Sequence, residues 1–545
     1  MTTYGIDLGT TYSCVATIDD TGRPALVKNV AGNDTTPSVV YFESPDNVVV
    51  GEEAKNTAVL FPELVVALVK RQMGQDVAFE FHNQPHTPES ISALILRELA
   101  RAAGEHSSEP ARDVVITVPA YFGITEKEAT RKAGEIAGLN VLDIVPEPVA
   151  AALHQQSLDS GGGVRNVLVY DLGGGTFDTT VIRIEDNDVR VVCTDGDHRL
   201  GGADWDEKLC DELLERFVAE HPEPDPSSDE QFMQDLAIAA EQMKRSLSSR
   251  ESARHNLRFE GSAVRLELSR AEFAELTSDL LERTLTITER TVAAARERGV
   301  EQFDDVLLVG GMTRMPAITE GLRQRFGFEP RAHEPDLAVA KGAALFALLR
   351  QVRISMDAEA EAGAEAVRGE RAERLGAALG VPAERVEQLA EKKVTSVAPR
   401  AFGVKVVDSS DPLARSDPGQ ARQRIAHLIE ANTALPADAD GEFSTVWSDQ
   451  TEVEIDVWEQ AGAVASDELE HNVHIGDTRL KGLPRGQAGT PFKVGFHLTE
   501  TGLLQVNAWD PATENEVKFD VQIGGMSEEQ LSEARSALAT IRTSS

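Results

Sequence analysis

One short motif occurs twice in this chain, and the repeat constrains the fold more than any other feature of the sequence. Residues 5–11 read GIDLGTT, and residues 170–176 read YDLGGGT. Each copy follows an apolar strand pattern and precedes another, at Cys14–Ile18 and at Thr179–Ile184. The pattern predicts two strand–turn–strand hairpins, with an aspartate at the end of each first strand. Two such hairpins indicate two related lobes that enclose one ligand.

The composition of the two turns is typical of a phosphate-binding site. Glycines allow backbone N–H groups to approach phosphate oxygens closely. Asp7 and Asp171 can hold Mg²⁺, directly or through its water ligands. One copy alone also fits an ordinary tight hairpin, whereas two copies at matching positions favour a nucleotide site.

A third glycine turn supports this prediction. The apolar run Val306–Val309 leads into Gly310, Gly311 and then Arg314. A glycine pair allows a flat base or a ribose to come close, and an arginine can stack on the face of adenine. Such pairs are also common in plain loops, so this turn adds weight only beside the other two.

Residues 1–350 alternate short apolar runs with longer helical patterns, which predicts an α/β domain. The runs Val114–Val118, Val167–Tyr170 and Val306–Val309 predict buried strands. A capping box pairs Thr125 with Glu128 and predicts a helix start there. A second box, Ser227 with Glu230, predicts the start of a long helix over residues 231–248.

The composition changes after residue 350. Residues 351–395 are rich in alanine, glutamate and arginine, which predicts a mostly exposed helical connector interrupted by Pro382. From about residue 396 the apolar residues alternate with polar ones, as in segments 453–457, 492–498 and 517–523. This period predicts an antiparallel β-sandwich with one buried face over residues 396–525. One helix, Ser527–Arg542, is predicted within residues 526–545.

Charge and cysteine content exclude several classes of protein. The 53 lysines and arginines against 91 aspartates and glutamates give a net charge of −38, which disfavours nucleic acid and membrane surfaces as partners. Cys14, Cys193 and Cys210 are too few and scattered for a disulfide scaffold or a zinc site. Residues 1–20 show no leader pattern, and no apolar run reaches the ~20 residues of a membrane helix. We expect a cytoplasmic protein that is a monomer by default.

With these motifs the chain resembles the heat-shock protein 70 family of the DnaK type, among the actin- and hexokinase-like ATPases. The motifs that carry the resemblance are Ile6–Ser13, Ile116–Phe122, Val169–Asp178, Gly196-Asp197 with Leu200-Gly201-Gly202, and Leu308–Pro316. The resemblance covers most of residues 3–350 and, more loosely, residues 396–525. It implies a two-lobed α/β ATPase domain (1–350), the helical connector (351–395), a β-sandwich peptide-binding-like domain (396–525) and a short C-terminal helix (526–545).

The resemblance also implies the roles of individual residues in slow hydrolysis of ATP. Lys70, Glu147, Asp171 and Thr176 would act in catalysis, and Asp7 with Asp171 would hold the waters of Mg²⁺. Lys70 would steady the γ-phosphate and the attacking water, and Glu147 would orient that water. The residues implied to bind ATP or ADP are Gly9, Thr10, Thr11, Tyr12, Gly173, Gly174, Gly175, Gly201, Gly202, Glu241, Lys244, Arg245, Ser248, Gly310, Gly311, Arg314 and Asp336.

Two of these sets have plainer alternatives. Glu241, Lys244, Arg245 and Ser248 share one helix face, which could equally be a solvated stripe. In the sandwich, the resemblance implies an apolar slot for an extended peptide, lined by Val404, Phe443, Val446, Val453 and Ile455. Those five residues could instead be ordinary core residues of the sandwich.

The chain departs from the family pattern in four places. The connector replaces a short linker with consecutive leucines, and a multi-helix lid is missing after residue 526. The segment Ser409–Gln423 lengthens a loop beside the predicted slot. Lys127 stands where the family has an arginine that relays the ATP signal from Pro119, and a lysine lacks the forked contacts of an arginine. These departures put the coupling between the domains in doubt.

Three functions remain open at this point. The first is an ATP-dependent chaperone that binds apolar or unfolded polypeptide segments, with a J-domain co-chaperone and a nucleotide exchange factor as implied partners. The second is a nucleotide-regulated scaffold with a dedicated partner and little turnover. The third, a small-molecule kinase on the same fold, lacks a recognisable acceptor site.

Overall fold

The computed structural model describes residues 2–158, 163–185, 188–223, 225–332, 334–361, 368–462, 465–500, 502–512, 515–520 and 528–544. Among these residues, no helix combines the length and the apolar character needed to cross a membrane. The predicted core positions Val521 and Ile523 and the predicted helix start Ser527 lie outside the described residues.

The first lobe is an α/β unit. Its strands are β1 (Thr3–Asp7), β2 (Tyr12–Ile18), β3 (Pro24–Val27), β4 (Thr36–Pro37), β5 (Val40–Ser44), β6 (Asn47–Val50), β7 (Val65–Val66), β8 (Phe79–Phe81), β9 (Gln84–His86), β10 (Asp113–Val118) and β11 (Asn140–Pro146). Its helices are α1 (Glu52–Thr57), α2 (Pro88–Ser107) and α3 (Ile124–Ile136). The main sheet has the order β11-β10-β1-β2-β3, and β4 pairs with β2.

The second lobe repeats the central part of this sheet. Its strands are β12 (Val164–Leu172), β13 (Phe177–Glu185), β14 (Asp188–Asp197), β15 (Ser252–Phe259), β16 (Ser262–Ser269), β17 (Asp305–Val309) and β18 (Arg331–Ala332). Its helices are α4 (Glu147–Leu158), α5 (Gly202–Glu220), α6 (Glu230–Leu247), α7 (Arg270–Leu276), α8 (Ser278–Glu297), α9 (Pro316–Phe326) and α10 (Ala338–Glu361). The sheet order is β18-β17-β12-β13-β14-β19, where β19 comes from the connector described below.

Both predicted hairpins are confirmed, and they occupy equivalent places. β1 pairs in parallel with β10 and antiparallel with β2, and β12 does the same with β17 and β13. Asp7 is the last residue of β1, and Asp171 is the last but one of β12, so the two aspartates lie at matching strand ends. The predicted strands at Val114–Val118, Val167–Tyr170 and Val306–Val309 lie within β10, β12 and β17.

Helix α10 packs between the two lobes, against α4 and the strands β1 and β2. Small residues permit this close crossing. A Cβ atom placed on Gly342 would lie 1.7 Å from the carbonyl oxygen of Ala150, and one on Gly5 would lie 2.1 Å from the backbone nitrogen of Ala344. These contacts leave no room for a side chain at either glycine.

The connector is packed, contrary to the prediction that it is mostly exposed. It consists of α11 (Arg368–Leu379), α12 (Ala383–Glu391) and strand β19 (Lys393–Thr395). Leu375, Val386 and Leu389 are buried against Leu349 and Val352 of α10. The prediction failed because the patchy apolar spacing of each short helix is enough for one buried face in a three-helix cluster. β19 then adds to the second lobe as a parallel neighbour of β14.

The predicted antiparallel β-sandwich is present over the described residues. Its strands are β20 (Phe402–Val407), β21 (Gln423–Ile429), β22 (Ala437–Ser444), β23 (Glu452–Gln460), β24 (Asn472–Lys481), β25 (Pro491–Leu498), β26 (Leu504–Trp509) and β27 (Glu516–Asp520). They form two sheets, β21-β20-β23-β24 and β22-β25-β26-β27. The alternating apolar residues of β23 and β25 fill the core between the sheets.

The segment after the sandwich returns to the first lobe. Helix α13 (Glu528–Thr540) is followed by strand β28 (Arg542–Ser544). The predicted helix end at Arg542 is therefore wrong, because Arg542 begins a strand that pairs with β6. α13 packs against α2 and α3.

Both predicted capping boxes are wrong in detail. Thr125 lies inside α3, whose N-cap is Gly123 without a side-chain hydrogen bond. The backbone N–H of Ile124 instead donates to Glu459 Oε1 of the sandwich at 3.2 Å. In α6 the N-cap is Asp229, whose side chain accepts from the N–H of Phe232 at 2.7 Å. In each case a carboxylate accepts from the first turn of the helix in place of the predicted hydroxyl group.

The contact between the sandwich and the ATPase lobes centres on Arg400. The side chain of Arg400 is 6% exposed and donates to Glu126 at 2.9 Å, with Glu459 at 3.7 Å. The guanidinium also lies over the ring of Tyr121 at 5.2 Å. Ile124 of the first lobe packs into the core of the sandwich. Pro119 is buried, and Lys127 lies in α3 beside this cluster, where burial lowers its pKa.

Candidate functional site

The glycine turns of the two lobes face a cavity of about 1030 Å³. The structure brings nearly all predicted nucleotide residues to its wall. Those lining it are Asp7, Gly9, Thr10, Thr11, Tyr12, Lys70, Glu147, Asp171, Gly173, Gly174, Thr176, Gly202, Glu241, Lys244, Arg245, Ser248, Gly310, Gly311, Arg314 and Asp336. The two copies of the sequence motif therefore lie where the two lobes face each other across the cavity.

The remaining two glycines pack behind this wall. A Cβ atom on Gly175 would lie 2.3 Å from the side chain of Thr10, and one on Gly201 would lie 2.5 Å from the backbone nitrogen of Gly175. A Cβ atom on Gly174 would likewise lie 2.2 Å from Thr11 Oγ1. Glycine is required at these positions because the turns of the two lobes touch.

Three acidic side chains and one lysine line the floor of the cavity, and a fourth carboxyl group, that of Asp178, is buried near them. Lys70 Nζ donates to Glu147 Oε1 at 2.7 Å, and both side chains are nearly inaccessible to solvent. Burial raises the pKa of Asp7 to about 7 and that of Asp178 to about 8, and the charge of Glu147 adds to both shifts. Burial and Glu147 also raise the pKa of Asp171 well above its ordinary value. Without a bound cation, the charged forms of these carboxyl groups are therefore disfavoured.

The donor set fits a hard divalent cation held mainly through its waters. Asp171 Oδ2 is buried and has no hydrogen-bond partner among the described residues, whereas Asp7 Oδ1 accepts from Thr117 at 2.8 Å. Carboxylate oxygens are the ligands that Mg²⁺ prefers, and Mg²⁺ usually keeps several waters. In the described part of the chain, no three His, Cys, Asp or Glu side chains lie close enough to ligate a metal together.

Lys70 is held in place by local backbone geometry. It belongs to a short 3-10 helix, Val69–Gln72, which follows Leu68 in the left-handed conformation with φ 59°. The next residue, Arg71, donates to the carbonyl oxygen of Gly175 at 3.0 Å and pairs with Asp204 at 2.5 Å. The turn that carries Lys70 is thereby bound to the glycine turn of the opposite lobe.

The predicted helix face on α6 lines the cavity, and its charges are paired. Lys244 Nζ lies 2.6 Å from Asp206 and 2.8 Å from the carbonyl oxygen of Gly202. Glu241 forms an ion pair with Lys55 and accepts from the hydroxyl of Tyr12 at 3.1 Å. The stripe therefore lines the cleft, although the side chain of Arg245 is largely exposed.

Lys55 is a cleft residue that the sequence analysis missed. It lies on α1 of the first lobe, donates to the hydroxyl of Tyr12 at 2.8 Å and reaches Glu241 across the cleft. Arg71, Asp178 and Asp206 were missed as well. No local signal could have revealed them, since each acts through a partner far away in the sequence.

Arg314 reaches the cavity, but its charge is already bound. Its Nε and Nη2 atoms both donate to Asp336 Oδ2, at 2.9 and 2.5 Å. The side chain of Arg314 is 54% exposed, so its flat face is open to a ligand. This pair joins the third glycine turn to the segment that precedes α10.

The residues of the predicted peptide slot divide into two groups. Val404, Val453 and Ile455 are buried in the sandwich core. Phe443 and Val446 are half-buried. The slot stays a prediction.

Comparison with known proteins finds relatives that match most of the chain. The Hsp70 protein family model matches residues 3–354 and 420–538. The chain is 37% identical over 541 residues to the chaperone protein DnaK of Halobacterium salinarum, covering 97% of this chain and 76% of the relative. It is 35% identical over 520 residues to the chaperone protein DnaK of Thermosipho africanus, covering 94% and 78%.

Proposed function

The chain belongs to the Hsp70 family, and from that premise we propose that it is an ATP-dependent molecular chaperone that hydrolyses ATP slowly and binds apolar polypeptide segments. One observation carries the proposal most directly. The floor of the cleft buries more carboxylates than the single ion-paired Lys70 can balance, directly beside two glycine turns. A magnesium nucleotide supplies both the missing cation and the phosphates that such turns bind.

The residues of the cleft have distinct tasks in this proposal. The turn residues Thr10, Thr11 and Tyr12 and the glycines of both lobes bind the phosphates, and Asp7 and Asp171 hold the waters of Mg²⁺. The bound Mg²⁺ neutralises charge on the phosphates. Lys70 steadies the γ-phosphate, and its ion pair with Glu147 places a carboxylate where a water can be oriented. Thr176 lines the cavity and would contact the γ-phosphate of a bound nucleotide.

The adenosine lies between two walls of the cavity in this proposal. Glu241, Lys244, Arg245 and Ser248 of the α6 face form one wall, and Gly310, Gly311, Arg314 and Asp336 form the other. No covalent intermediate is needed, because phosphoryl transfer depends mainly on position and charge.

The sandwich supplies the second activity in the proposal. Strand-like binding of an extended peptide fits an antiparallel sandwich with an apolar interior. A J-domain co-chaperone and a nucleotide exchange factor are the proposed partners, and a cytoplasmic location and a monomer stay predictions. The relatives named DnaK favour a chaperone over a nucleotide-bound scaffold or a small-molecule kinase.

The proposal is tested by single-turnover hydrolysis of ATP with Mg²⁺, with and without an unfolded apolar peptide. We expect slow hydrolysis that the peptide accelerates, because β19 joins the connector directly to the sheet of the second lobe. If the peptide does not change the rate of hydrolysis, the ATPase activity is not coupled to the sandwich. A protein that binds ATP tightly without turnover would contradict the proposal in favour of the scaffold.

A further inference from the structure

The segment of residues 528–544, named here the C-terminal clasp, packs on the first lobe. Leu531, Leu538 and Ile541 are each at most 8% exposed, and they join the hydrophobic core that contains α2 and α3. The apolar face of α13 is thus occupied by the ATPase domain. In this structure the helix does not act as a cover for the sandwich.

Two arginines fasten the clasp through backbone carbonyl groups. Arg97 of α2 donates to the carbonyl oxygen of Leu538 at 2.6 Å. Arg535 of α13 donates twice to the carbonyl oxygen of Glu135, at 3.0 and 2.7 Å. Glu135 lies in the last turn of α3, so Arg535 satisfies a carbonyl at the negative end of that helix.

The clasp ends in strand β28, which adds to a sheet of the first lobe. β28 pairs in parallel with β6, with Arg542 opposite Asn47 and Ser544 opposite Val49. The N–H of Arg542 also donates to the carbonyl oxygen of Asp46 at 2.8 Å. The clasp therefore fixes the edge of the sheet formed by β5, β6 and β7.

β6 leads directly to the mouth of the nucleotide cleft. Gly51 separates β6 from α1, and Ala54 of α1 packs in one cluster with Val49 of β6. The next residue, Lys55, pairs with Glu241 of the opposite lobe and donates to Tyr12. A continuous set of contacts thus runs from β28 through β6 and α1 to the pair that bridges the two lobes.

We propose that the C-terminal clasp controls nucleotide release by holding β6 and α1 in the position in which Lys55 closes the cleft. Release of the clasp frees the edge of β6, loosens α1 and weakens the contact between Lys55 and Glu241. The clasp is thus a regulatory element on the first lobe, remote from the phosphates. This inference rests on the proposed function only in requiring that the cleft binds a nucleotide.

The test measures dissociation of a fluorescent ADP analogue, chased with excess ATP in the presence of Mg²⁺. The clasp is weakened by the double substitution Leu538→Ala and Ile541→Ala. We expect dissociation about fivefold faster or more, the lower end of typical coupling between sites. The matched control is Ala537→Ser with Ala539→Ser, which lie on the exposed face of the same helix and should leave the rate unchanged.

A cross-link separates this role from general destabilisation. The substitutions Asn47→Cys and Arg542→Cys place two thiols at positions that lie opposite each other in the β6–β28 pair. In the alanine double variant, their oxidation should restore slow release, and reduction should abolish the rescue. The wild-type chain, treated with the same oxidant, controls for the native cysteines.

Amide hydrogen exchange in residues 47–50 reports whether the clasp has left β6. An unchanged dissociation rate with an exposed β6 edge overturns the proposal. If the alanine variant keeps the clasp bound, removal of residues 528–545 gives the same test, and an unchanged rate again overturns the proposal. Failure of the wild-type chain to bind the ADP analogue would instead overturn the proposed function.

Discussion

The nucleotide cleft and the contact between the sandwich and the ATPase lobes both bury ion pairs, but they balance charge differently. In the cleft, Lys70 is paired with Glu147 while further buried carboxylates remain around it. In the domain contact, Arg400 pairs with Glu126 and Glu459, with Lys127 nearby. In the cleft, the buried carboxyl groups outnumber the one lysine, so a bound cation would stabilise their charged forms. In the domain contact, Glu126 and Glu459 face two cations, Arg400 and Lys127. The first arrangement suits binding, and the second suits assembly of the chain.

The largest effect should follow from Arg400→Met. Removal of the guanidinium leaves Glu126 and Glu459 buried without their cation, and breaking a buried pair in this way costs about 3–5 kcal/mol. We expect the sandwich to separate from the lobes. Amide hydrogen exchange measures this separation in β19, the strand that pairs with β14 and leads into the sandwich, and we expect it to rise.

A neutral version of the same contact is the control for Arg400→Met. The triple variant Arg400→Met, Glu126→Gln and Glu459→Gln removes all three charges and should recover most of the protection in β19, because no unpaired charge stays buried. If the single and triple variants lose protection equally, the ion pairs do not hold the domains together.

In the cleft, Lys70→Ala should lower single-turnover hydrolysis of ATP by about 100-fold or more, the usual cost of removing one preorganised charge from a transition state. Lys28→Ala is the matched control, because Lys28 is a lysine of the same lobe whose side chain is 65% exposed. Hydrolysis should be unchanged in the control. Equal rates in all three proteins would remove Lys70 from the proposed machinery.

These two regions also differ in how far the sequence predicted them. The cleft follows from two copies of a local motif, and β1 with β2 and β12 with β13 form as hairpins that need only neighbouring residues. The partners that complete the cleft, such as Lys55 with Glu241, are 186 residues apart and carry no local signal. Sequence patterns therefore located the site but not its cross-lobe contacts.

The resemblance implied interdomain roles for Pro119 and Lys127, but the ion pairs of the domain contact were not predicted, for the same physical reason. Thr125 and Glu128 have the spacing of a capping box, yet the N-cap of α3 is Gly123, two residues earlier, and Glu459 accepts from the N–H of Ile124. That acceptor is 335 positions away and belongs to another domain. The packed connector and the strand β28 were missed likewise, since both depend on surfaces formed elsewhere in the chain.

Neutralising one carboxylate in each region of the nucleotide-free protein should change the free energy of unfolding in opposite directions. Asp171→Asn relieves repulsion in the cleft and should raise the free energy of unfolding by about 1 kcal/mol. Glu126→Gln weakens the ion pair to Arg400 and should lower it by a similar amount. Urea denaturation without nucleotide measures both. The same sign in both variants would contradict the proposed difference in charge balance.

The smallest expected effect is a dependence of docking on pH, which comes from Glu459. Burial raises its pKa to about 7, while Arg400 opposes the shift. When the sandwich is separated, this carboxyl regains its ordinary pKa near 4.5, so the docked form holds the extra proton between about pH 4.5 and 7. Docking should therefore strengthen as the pH falls through this range, and its equilibrium constant should rise by at most about tenfold per pH unit. Above this pH range, Glu459 should not make docking depend on pH.

Glu459→Gln isolates this contribution from the other groups at the contact. Glu126, Lys127, Arg400, Tyr121 and His198 surround or adjoin it, and burial lowers the pKa of His198, so protonation of His198 opposes docking as the pH falls. Protection from exchange in β19, corrected for the intrinsic effect of pH on amides, measures docking. In Glu459→Gln this protection should no longer increase as the pH falls. It should instead decrease weakly, because protonation of His198 opposes docking. If the wild type and this variant share one pH profile, Glu459 is ionised in the docked protein, and its bond to the N-terminus of α3 outweighs its burial.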